Sequence, residues 1–305
     1  MKNAIKRLMH FCFRVGQRLG VDLLPRHFYS EIPDLRKLKR TTAWKQPYSL
    51  IGIAGADIGE QAAFVRSLVP PPLVERLARG DIHRSACEHN GVPGYGPIEA
   101  DCLFAFVHTL RPPRIVQIGC GVSTAVCLMA AQEAGYTPQI VCIEPYPNVF
   151  LKSAAAAGSI RLIASPVEDL TPDEALAGLT GGDLFFVDSS HTLGPAGEVS
   201  RIILELLPRL PDGCFVHFHD IYFPFDYAGD ILTRALFFWH ESALLQAFLT
   251  LNSRFRLLAA LSHLHFADQA TLRDVFRNYQ PSGNDQGLFT SPGHFPSSTY
   301  LKANG

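Results

Sequence analysis

The chain has 305 residues, of which 47% are hydrophobic and 18% charged, a composition that excludes a disordered or fibrous protein and can build one large or two modest cores. A net charge of −1 gives no global case for a nucleic-acid partner. The seven cysteines are odd in number, scattered mainly through apolar segments and free of any C-x-x-C pair, a usage that fits a reducing cytoplasm.

Charge is unevenly placed. Residues 1–40 carry ten basic side chains (Lys2, Lys6, Arg7, Arg14, Arg18, Arg26, Arg36, Lys37, Lys39, Arg40) against Asp22, Glu31 and Asp34, so this arm is +7 and the remainder −8. The spacing of Ile5, Leu8, Cys12, Val15 and Leu19 predicts a helix over Met1–Leu19 with one apolar side and cations elsewhere. Such a helix suits peripheral contact of residues 1–20 with an anionic membrane or an acidic partner; the alternative is packing on the catalytic domain or on a second subunit of a homo-oligomer. No uncharged apolar run is long enough to span a bilayer, and the short apolar stretches lack a signal-peptide cleavage site.

Residues 41–95 hold helix-like Gln61–Leu68, the breaker Pro70-Pro71-Pro72, helix-like Leu73–Arg79 and a loop from Asn90 to Pro97. With the arm they are expected to form a first domain, 1–95, that caps a second, 96–305. Within that loop, Tyr95-Gly96-Pro97 could lie over a ligand as a lid or form a simple turn. Glu99–Leu110 is the expected first helix of the second domain, ended by Arg111-Pro112-Pro113.

Arg114–Glu144 then reads as strand, glycine turn, helix and strand. Ile115, Val116 and Ile118 suit a buried parallel strand, and Gly119-Cys120-Gly121 lets the backbone turn tightly. Ser123 or Thr124 can cap a helix over Thr124–Gly135, whose amino end favours hydrogen-bond-accepting groups. Ile140–Ile143 makes the second strand, and Glu144 follows about 25 residues after Gly119, where an acid accepts hydrogen bonds from ribose hydroxyls.

Further elements follow in order. Ser159–Ser165 reads as a third strand, Asp183–Val187 as a fourth ending in Asp188-Ser189-Ser190-His191, and Gly213–Phe218 as a fifth ending in His219-Asp220. Between the last two, Val199, Ile202, Ile203, Leu206 and Leu207 give a helix over Gly197–Leu207, stopped by Pro208. The loop after Asp220 carries Tyr222, Phe223, Phe225 and Tyr227, aromatics that could wall a substrate pocket. A helix over Trp239–Leu251, with Trp239 and Phe248 in the core, a strand over Phe255–Leu261, a Gly/Pro/Ser-rich loop over Gln280–Pro296 and a last strand over Ser298–Lys302 complete the chain. Polar residues thus gather at the carboxyl ends of strands, the edge where open α/β sheets bind ligands.

The segment QIGCGVST resembles motif I of the class I S-adenosylmethionine-dependent methyltransferases, usually E/D-x-G-x-G-x-S/G, with Gln117 in place of the acid. Thr124 occupies the third small position of a dinucleotide fingerprint and argues against a nicotinamide-dependent oxidoreductase. The phrases FFVDSSHT, LLPRLPDGCFVHFHDIYFPFDY and GYGPIEADCLFAFVHTLRPPRIVQIGCG, with the segment from His27 to Pro33, extend the resemblance to a bacterial group of these methyltransferases acting on small-molecule or glycan substrates. It implies a Rossmann-like, doubly wound, mostly parallel seven-stranded α/β sheet with an N-terminal helical extension. It also implies a methyl transfer from S-adenosylmethionine, at oxygen of a small molecule or sugar. Gln117, Gly119, Cys120, Gly121, Ser123, Thr124, Glu144 and Asp188 would hold the cofactor, and Val167 and Glu168 its adenine.

A hydroxyl acceptor must lose a proton, and histidine is the natural base near neutral pH. His219 ranks first, then His191, with Asp188 and Asp220 at the reaction edge; His217, two residues before His219, should point to the same face. Asp188, His219 and Asp220 could alternatively hold Mg²⁺ or Mn²⁺ and acidify the hydroxyl. A noncatalytic scaffold that keeps the fold is the reading from a different class.

Overall fold

In a computed structural model the chain is described over residues 2–24, 26, 28–41, 43–228, 231–281 and 296–304. Two compact units are present, Met1–Thr42 and Ala43–Gly305. His27, at the head of one quoted segment, and residues 282–295 of the expected Gly/Pro/Ser-rich loop lie outside the described residues.

The first unit contains helix α1 (Lys2–Arg18) and the single turn α2 (Leu35–Leu38), capped by the Asp34 side chain, which accepts from the Arg36 amide. Helix α1 matches the span expected from its apolar spacing.

The second unit is built on a seven-stranded sheet. Its strands are β1 (Arg114–Ile118), β2 (Gln139–Ile143), β3 (Arg161–Ile163), β4 (Leu184–Val187), β5 (Phe215–Phe218), β6 (Phe255–Ala260) and β7 (Thr299–Ala303), in the order β3-β2-β1-β4-β5-β7-β6. The first five pair in parallel, while β7 runs antiparallel to both β5 and β6. This is the doubly wound, mostly parallel arrangement expected from the sequence. The winding reverses between β1 and β4, and a crevice therefore opens beyond their carboxyl ends.

Strand parity sorts the core into two layers. Ile115, Ile140, Cys142, Leu184 and Phe186 face one side, where they pack with helices α3 (Ile58–Leu68), α4 (Pro71–Leu77), α5 (Ile82–Asn90), α6 (Pro97–Leu110), α7 (Val122–Glu133) and α8 (Val149–Ala156). Val116, Ile118, Val141, Ile143, Phe185 and Val187 face the other, against α9 (Pro172–Leu176), α10 (Glu198–Arg201) and its continuation, and α11 (Glu241–Leu249). Two last helices, α12 (Leu261–Ala267) and α13 (Gln269–Val275), follow β6. Because both faces of the sheet are covered, its central strands are mainly apolar rather than alternating, with Gln117 in β1 and His217 in β5 as buried polar exceptions.

Several boundaries differ from those expected. Helix α7 begins at Val122, two residues early, with Gly121 as its N-cap; Ser123 and Thr124 lie inside the helix, where the Thr124 hydroxyl caps it from the third position by accepting from the Gly121 amide. The helix expected over Gly197–Leu207 is α-helical only to Arg201, widens into a π turn over Ile202–Leu206, and tightens into a 3-10 turn at Leu207–Arg209. Pro208 has no N–H to give the ladder there, and the register shift lets Ile202, Ile203, Leu206 and Leu207 all stay buried. Helix α8 was not apparent from the pattern; Asn148 caps it by accepting from the Leu151 amide at 3.0 Å.

Candidate active site

The strand ends at the switch point are tied together by backbone bonds that outlast the strands. The Gly119 amide donates to the Ile143 carbonyl at 3.2 Å, the Asp188 amide to Ile118 at 2.8 Å, and the His219 amide to Val187 at 2.9 Å. These bonds hold three polar strand ends side by side. Gly119 has φ +77°, and a Cβ there would stand 1.9 Å from the Asp188 carbonyl oxygen, so only glycine lets the turn after β1 lie against the end of β4.

Glu144 stands over this turn. Its Oε2 accepts from the Cys120 amide at 3.2 Å and its Oε1 from the Tyr146 amide at 2.9 Å, leaving each oxygen a lone pair for a further donor. Val167 and Glu168 lie one strand farther, in a 3-10 turn after β3, with Val167 buried and Glu168 exposed.

Gln117, Ser123 and Thr124 lie elsewhere than expected. All three side chains are buried between β1 and α7, because Gln117 shares the parity of Ile115 and points toward the helices. The Thr124 hydroxyl donates to Gln117 Oε1 at 2.8 Å and accepts from the Gly121 amide at 3.3 Å. Gln117 and Thr124 thus brace the glycine turn from beneath, and their side chains are not placed to touch a ligand on it.

Beyond β4 and β5 lies a cluster of two imidazoles among four carboxylates. His219 Nδ1 is 3.2 Å from Asp188 Oδ1 and 3.7 Å from Asp220 Oδ2, while Nε2 is 3.2 Å from Glu99 Oε1, an ion-pair distance without hydrogen-bond alignment. His191 Nδ1 meets Glu241 Oε2 at 2.6 Å, and its Nε2 lies 3.5 Å from Asp220 Oδ2 and 3.7 Å from Asp188 Oδ1. Glu99 and Glu241 are almost wholly buried, whereas the Asp188 and Asp220 side chains are 32% and 22% exposed.

The charges can be assigned from these distances. Burial opposes a proton on His219, but the carboxylates of Asp220, Glu99 and Asp188 outweigh it and raise its pKa well above the ordinary histidine value. Burial likewise opposes charge on His191, and the hydrogen bond and charge of Glu241 reverse the effect, so its pKa too is raised. Burial alone would raise Glu99 and Asp188, yet the adjacent His219 cation leaves both lowered. The carboxylates of Asp220, Glu99 and Asp188 hold the proton on His219 when it is charged, which weakens the ring as the general base that its position suggested.

Around the cluster, Ser297 Oγ lies 2.7 Å from Glu99 Oε1 and 2.9 Å from Asp220 Oδ1, a single hydroxyl proton between two acceptors. The Tyr95 ring lies 4.6 Å from that of His219, with its hydroxyl 3.0 Å from His217 Nε2. The segment Tyr95-Gly96-Pro97 thus anchors inward on the cluster. His217 stacks on Phe186 at 4.4 Å, and burial together with the His219 charge pushes its pKa well below the ordinary value. Tyr95, His191 and Asp220 all adopt positive φ, of 56°, 60° and 55°, a concentration of uncommon backbone where the side chains converge.

Two aromatic expectations are corrected. Tyr222, Phe223 and Phe225 are buried, and the Tyr222 hydroxyl donates to Asp220 Oδ1 at 3.1 Å. Trp239 precedes α11 rather than opening it and is half-buried, its ring 4.4 Å from that of His191. Three participants went unrecognised in the sequence: Glu99, Glu241 and Ser297. Glu99 had one signal, a lone acid beginning an almost wholly apolar helix, where burial demands a partner.

A divalent cation at Asp188, His219 and Asp220 does not fit this donor set. Both nitrogens of His219 already lie 3.2 Å from a carboxylate oxygen, Nδ1 from Asp188 and Nε2 from Glu99, so neither faces a space that a cation and its other ligands could share. Among the described residues no group of three or more histidine, cysteine or acidic side chains is arranged to hold a metal ion.

Residues 116–221, from within β1 to just past β5, match the family model described as a methyltransferase domain. An uncharacterized protein of Archaeoglobus fulgidus is 27% identical over 168 residues, covering 51% of this chain and 73% of its own. Among solved structures, the S-adenosylhomocysteine-bound methyltransferase PaMTH1 of Podospora anserina is similar over 93% of this chain and 99% of its own, at 14% identity and a TM-score of 0.41. The cofactor-bound Rv0187 from MTB is similar over 77% and 90%, at 13% identity and a TM-score of 0.44. Both structural likenesses are distant and bear on neither ligand nor chemistry here.

Proposed function

We propose that the chain transfers a methyl group from S-adenosylmethionine to an oxygen of a small-molecule or sugar acceptor. The observation that carries this reading is the bond between Glu144 and the Cys120 amide. It pins a carboxylate at the carboxyl end of β2 over the glycine turn, with lone pairs available to ribose hydroxyls, on the same edge as the Asp188 carboxylate. Gly119, Cys120 and Gly121 would form the floor beneath the cofactor, and Val167 and Glu168 would flank its adenine. When bound, the cofactor supplies an electrophilic methyl carbon.

The protein's own part is to orient the acceptor and take its proton. Oδ1 of Asp188 faces both imidazoles, while Oδ2 makes no hydrogen bond to protein among the described residues, and the side chain is partly exposed. Asp188 Oδ2 would accept a hydrogen bond from the acceptor hydroxyl, aligning an oxygen lone pair on the methyl. His219 and His191 beside Oδ1 keep Asp188 ionised; it would hold the hydroxyl proton as the new oxygen–carbon bond forms and the methyl–sulfur bond breaks, and its lowered pKa suits it to pass that proton on to water.

Isothermal calorimetry with S-adenosylmethionine, followed by a metabolite screen for S-adenosylhomocysteine release, tests the reading. Binding together with release in the presence of a hydroxylated acceptor is expected. No heat of binding would overturn the proposal and leave a noncatalytic protein on this fold.

A further inference from the structure

None of the residues assigned above to methyl transfer belongs to the arm formed by residues 1–41, yet the arm has the most uneven charge in the chain. Helix α1 places Leu8, Phe11, Cys12 and Val15 at three- and four-residue steps, with Leu19 one turn beyond, so these side chains share one stripe. Leu8, Phe11 and Leu19 are 63%, 64% and 76% exposed, and Val15 is also exposed. Lys6, His10, Arg14 and Gln17 occupy the opposite face, and Arg7 and Arg18 border the stripe.

The pattern continues past the helix. Gly16 accepts from the Leu19 and Val21 amides at 2.8 and 2.9 Å, a turn after which Val21, Leu23 and Leu24 are all more than half exposed. Phe28 and Tyr29 follow at 92% and 83% exposure, their rings meeting edge to face at 5.2 Å. Of the arm's three acids, Asp34 is already paired with Arg26 and Arg36, so the cations of α1 are not neutralised from within the arm by that carboxylate.

We propose that residues 1–41 dock the protein on an anionic lipid surface, with the apolar stripe of α1 lying in the headgroup boundary and Lys6, Arg7, Arg14 and Arg18 meeting lipid phosphates. Charge complementarity selects this occupant. A net +7 around an exposed apolar stripe fits a surface that is both negatively charged and apolar just beneath, and long basic side chains can lay their stems along that boundary while their heads reach the phosphates. No helix among the described residues is long and apolar enough to cross the membrane, so the contact is peripheral.

The test is co-sedimentation of the full-length protein with vesicles of phosphatidylcholine alone or mixed equally with phosphatidylglycerol. The protein should pellet with the mixed vesicles and stay in solution with phosphatidylcholine, and added salt should weaken binding by screening. Phe11→Asp with Leu19→Asp should lower partitioning tenfold or more, and Arg7→Glu with Arg14→Glu should abolish the preference for anionic lipid. Thermal unfolding of these exposed-site variants serves as the folding control. Failure of the wild-type protein to pellet with mixed vesicles, or equal pelleting by Phe11→Asp with Leu19→Asp, overturns the proposal. So does a dimer in light scattering that Phe11→Asp dissociates without any vesicle binding, because the stripe is then a subunit interface. None of these readouts depends on methyl transfer.

Discussion

His219 Nε2 stands 3.2 Å from Glu99 Oε1, which joins the end of β5 to the first turn of α6 across 120 residues of sequence. The Glu99 carboxylate reaches this position by folding back over Gly96, where a Cβ would stand 1.8 Å from Glu99 Oε2. It is held there by the amide and hydroxyl of Ser297, at 2.8 and 2.7 Å. The cation of His219 and the carboxylates of Glu99 and Asp188 stabilise one another in the ionised form, and this mutual dependence sets a pH window.

His219→Gln should therefore destabilise the fold by about 3–5 kcal/mol, since it leaves buried carboxylates without their cation. The raised histidine pKa contributes fully below the unfolded value of about 6.5 and is lost as pH climbs through the folded value, while the lowered carboxylates contribute above about 4 and lose it on acidification. The deficit of the variant should be largest between those limits and should narrow toward alkaline pH. Urea unfolding at about pH 5.5 and about pH 9 checks this, and an equal deficit at both would mean that His219 is not a cation in the native protein.

Glu241→Gln should move the titration of His191 down toward the ordinary histidine range. The bond of 2.6 Å to Nδ1 is the principal influence raising that pKa against burial, and Gln keeps the shape while removing the charge. Following the His191 ring protons by NMR across pH reads it directly; an unmoved midpoint would assign the raised pKa to Asp220 and Asp188 instead. Loss of the charged bond should also cost about 1.5–3 kcal/mol of stability.

The succession of the first strands along the chain, the glycine turn and the place of Glu144 just past β2 were legible in the sequence, because each rests on local pattern: a short apolar run, two glycines, an acid at the next strand's end. Gln117 misled because motif position implied a ligand contact, whereas its parity with Ile115, readable from the same five residues, turns it toward α7. Glu99 and Glu241 could not be placed, since their partners His219 and His191 come from 120 and 50 residues away and only the closed fold brings them together. The place of His219 at the end of β5 was legible, but the raised pKa was not, because it depends on those carboxylates.

Gln117→Leu distinguishes bracing from binding. The substitution removes the acceptor of the Thr124 hydroxyl at a fully buried position and should cost about 1–3 kcal/mol of stability. Affinity for S-adenosylmethionine, measured by calorimetry below the unfolding range, should stay within a few-fold of wild type. A tenfold loss with little change in stability would instead make Gln117 a ligand contact.

Glu144→Ala should do the reverse. Its carboxylate is partly accessible and takes only two backbone amides, so the fold should tolerate its loss, while S-adenosylmethionine affinity should fall tenfold or more, about 1.4 kcal/mol. Unchanged affinity by calorimetry would remove Glu144 from the ribose position and, with it, the observation on which the methyl-transfer reading rests.

Gly119→Ala couples the two halves of the site. The new methyl would stand 1.9 Å from the Asp188 carbonyl oxygen, and because that atom is backbone the contact can be relieved only by moving the turn or the end of β4. Positive φ adds a penalty of about 1–2 kcal/mol for a residue with a Cβ, and overpacking a further 1–3 kcal/mol. Either displacement separates the Cys120 amide from Glu144 or shifts Asp188 relative to His219, whose own amide is bonded to the residue preceding Asp188. The expected result is a lowered thermal midpoint together with weakened cofactor binding and an altered His219 titration. A variant that loses stability while keeping both wild-type affinity and the wild-type His219 midpoint would show that the turn and the charged cluster are independent, contrary to the geometry that sets them side by side.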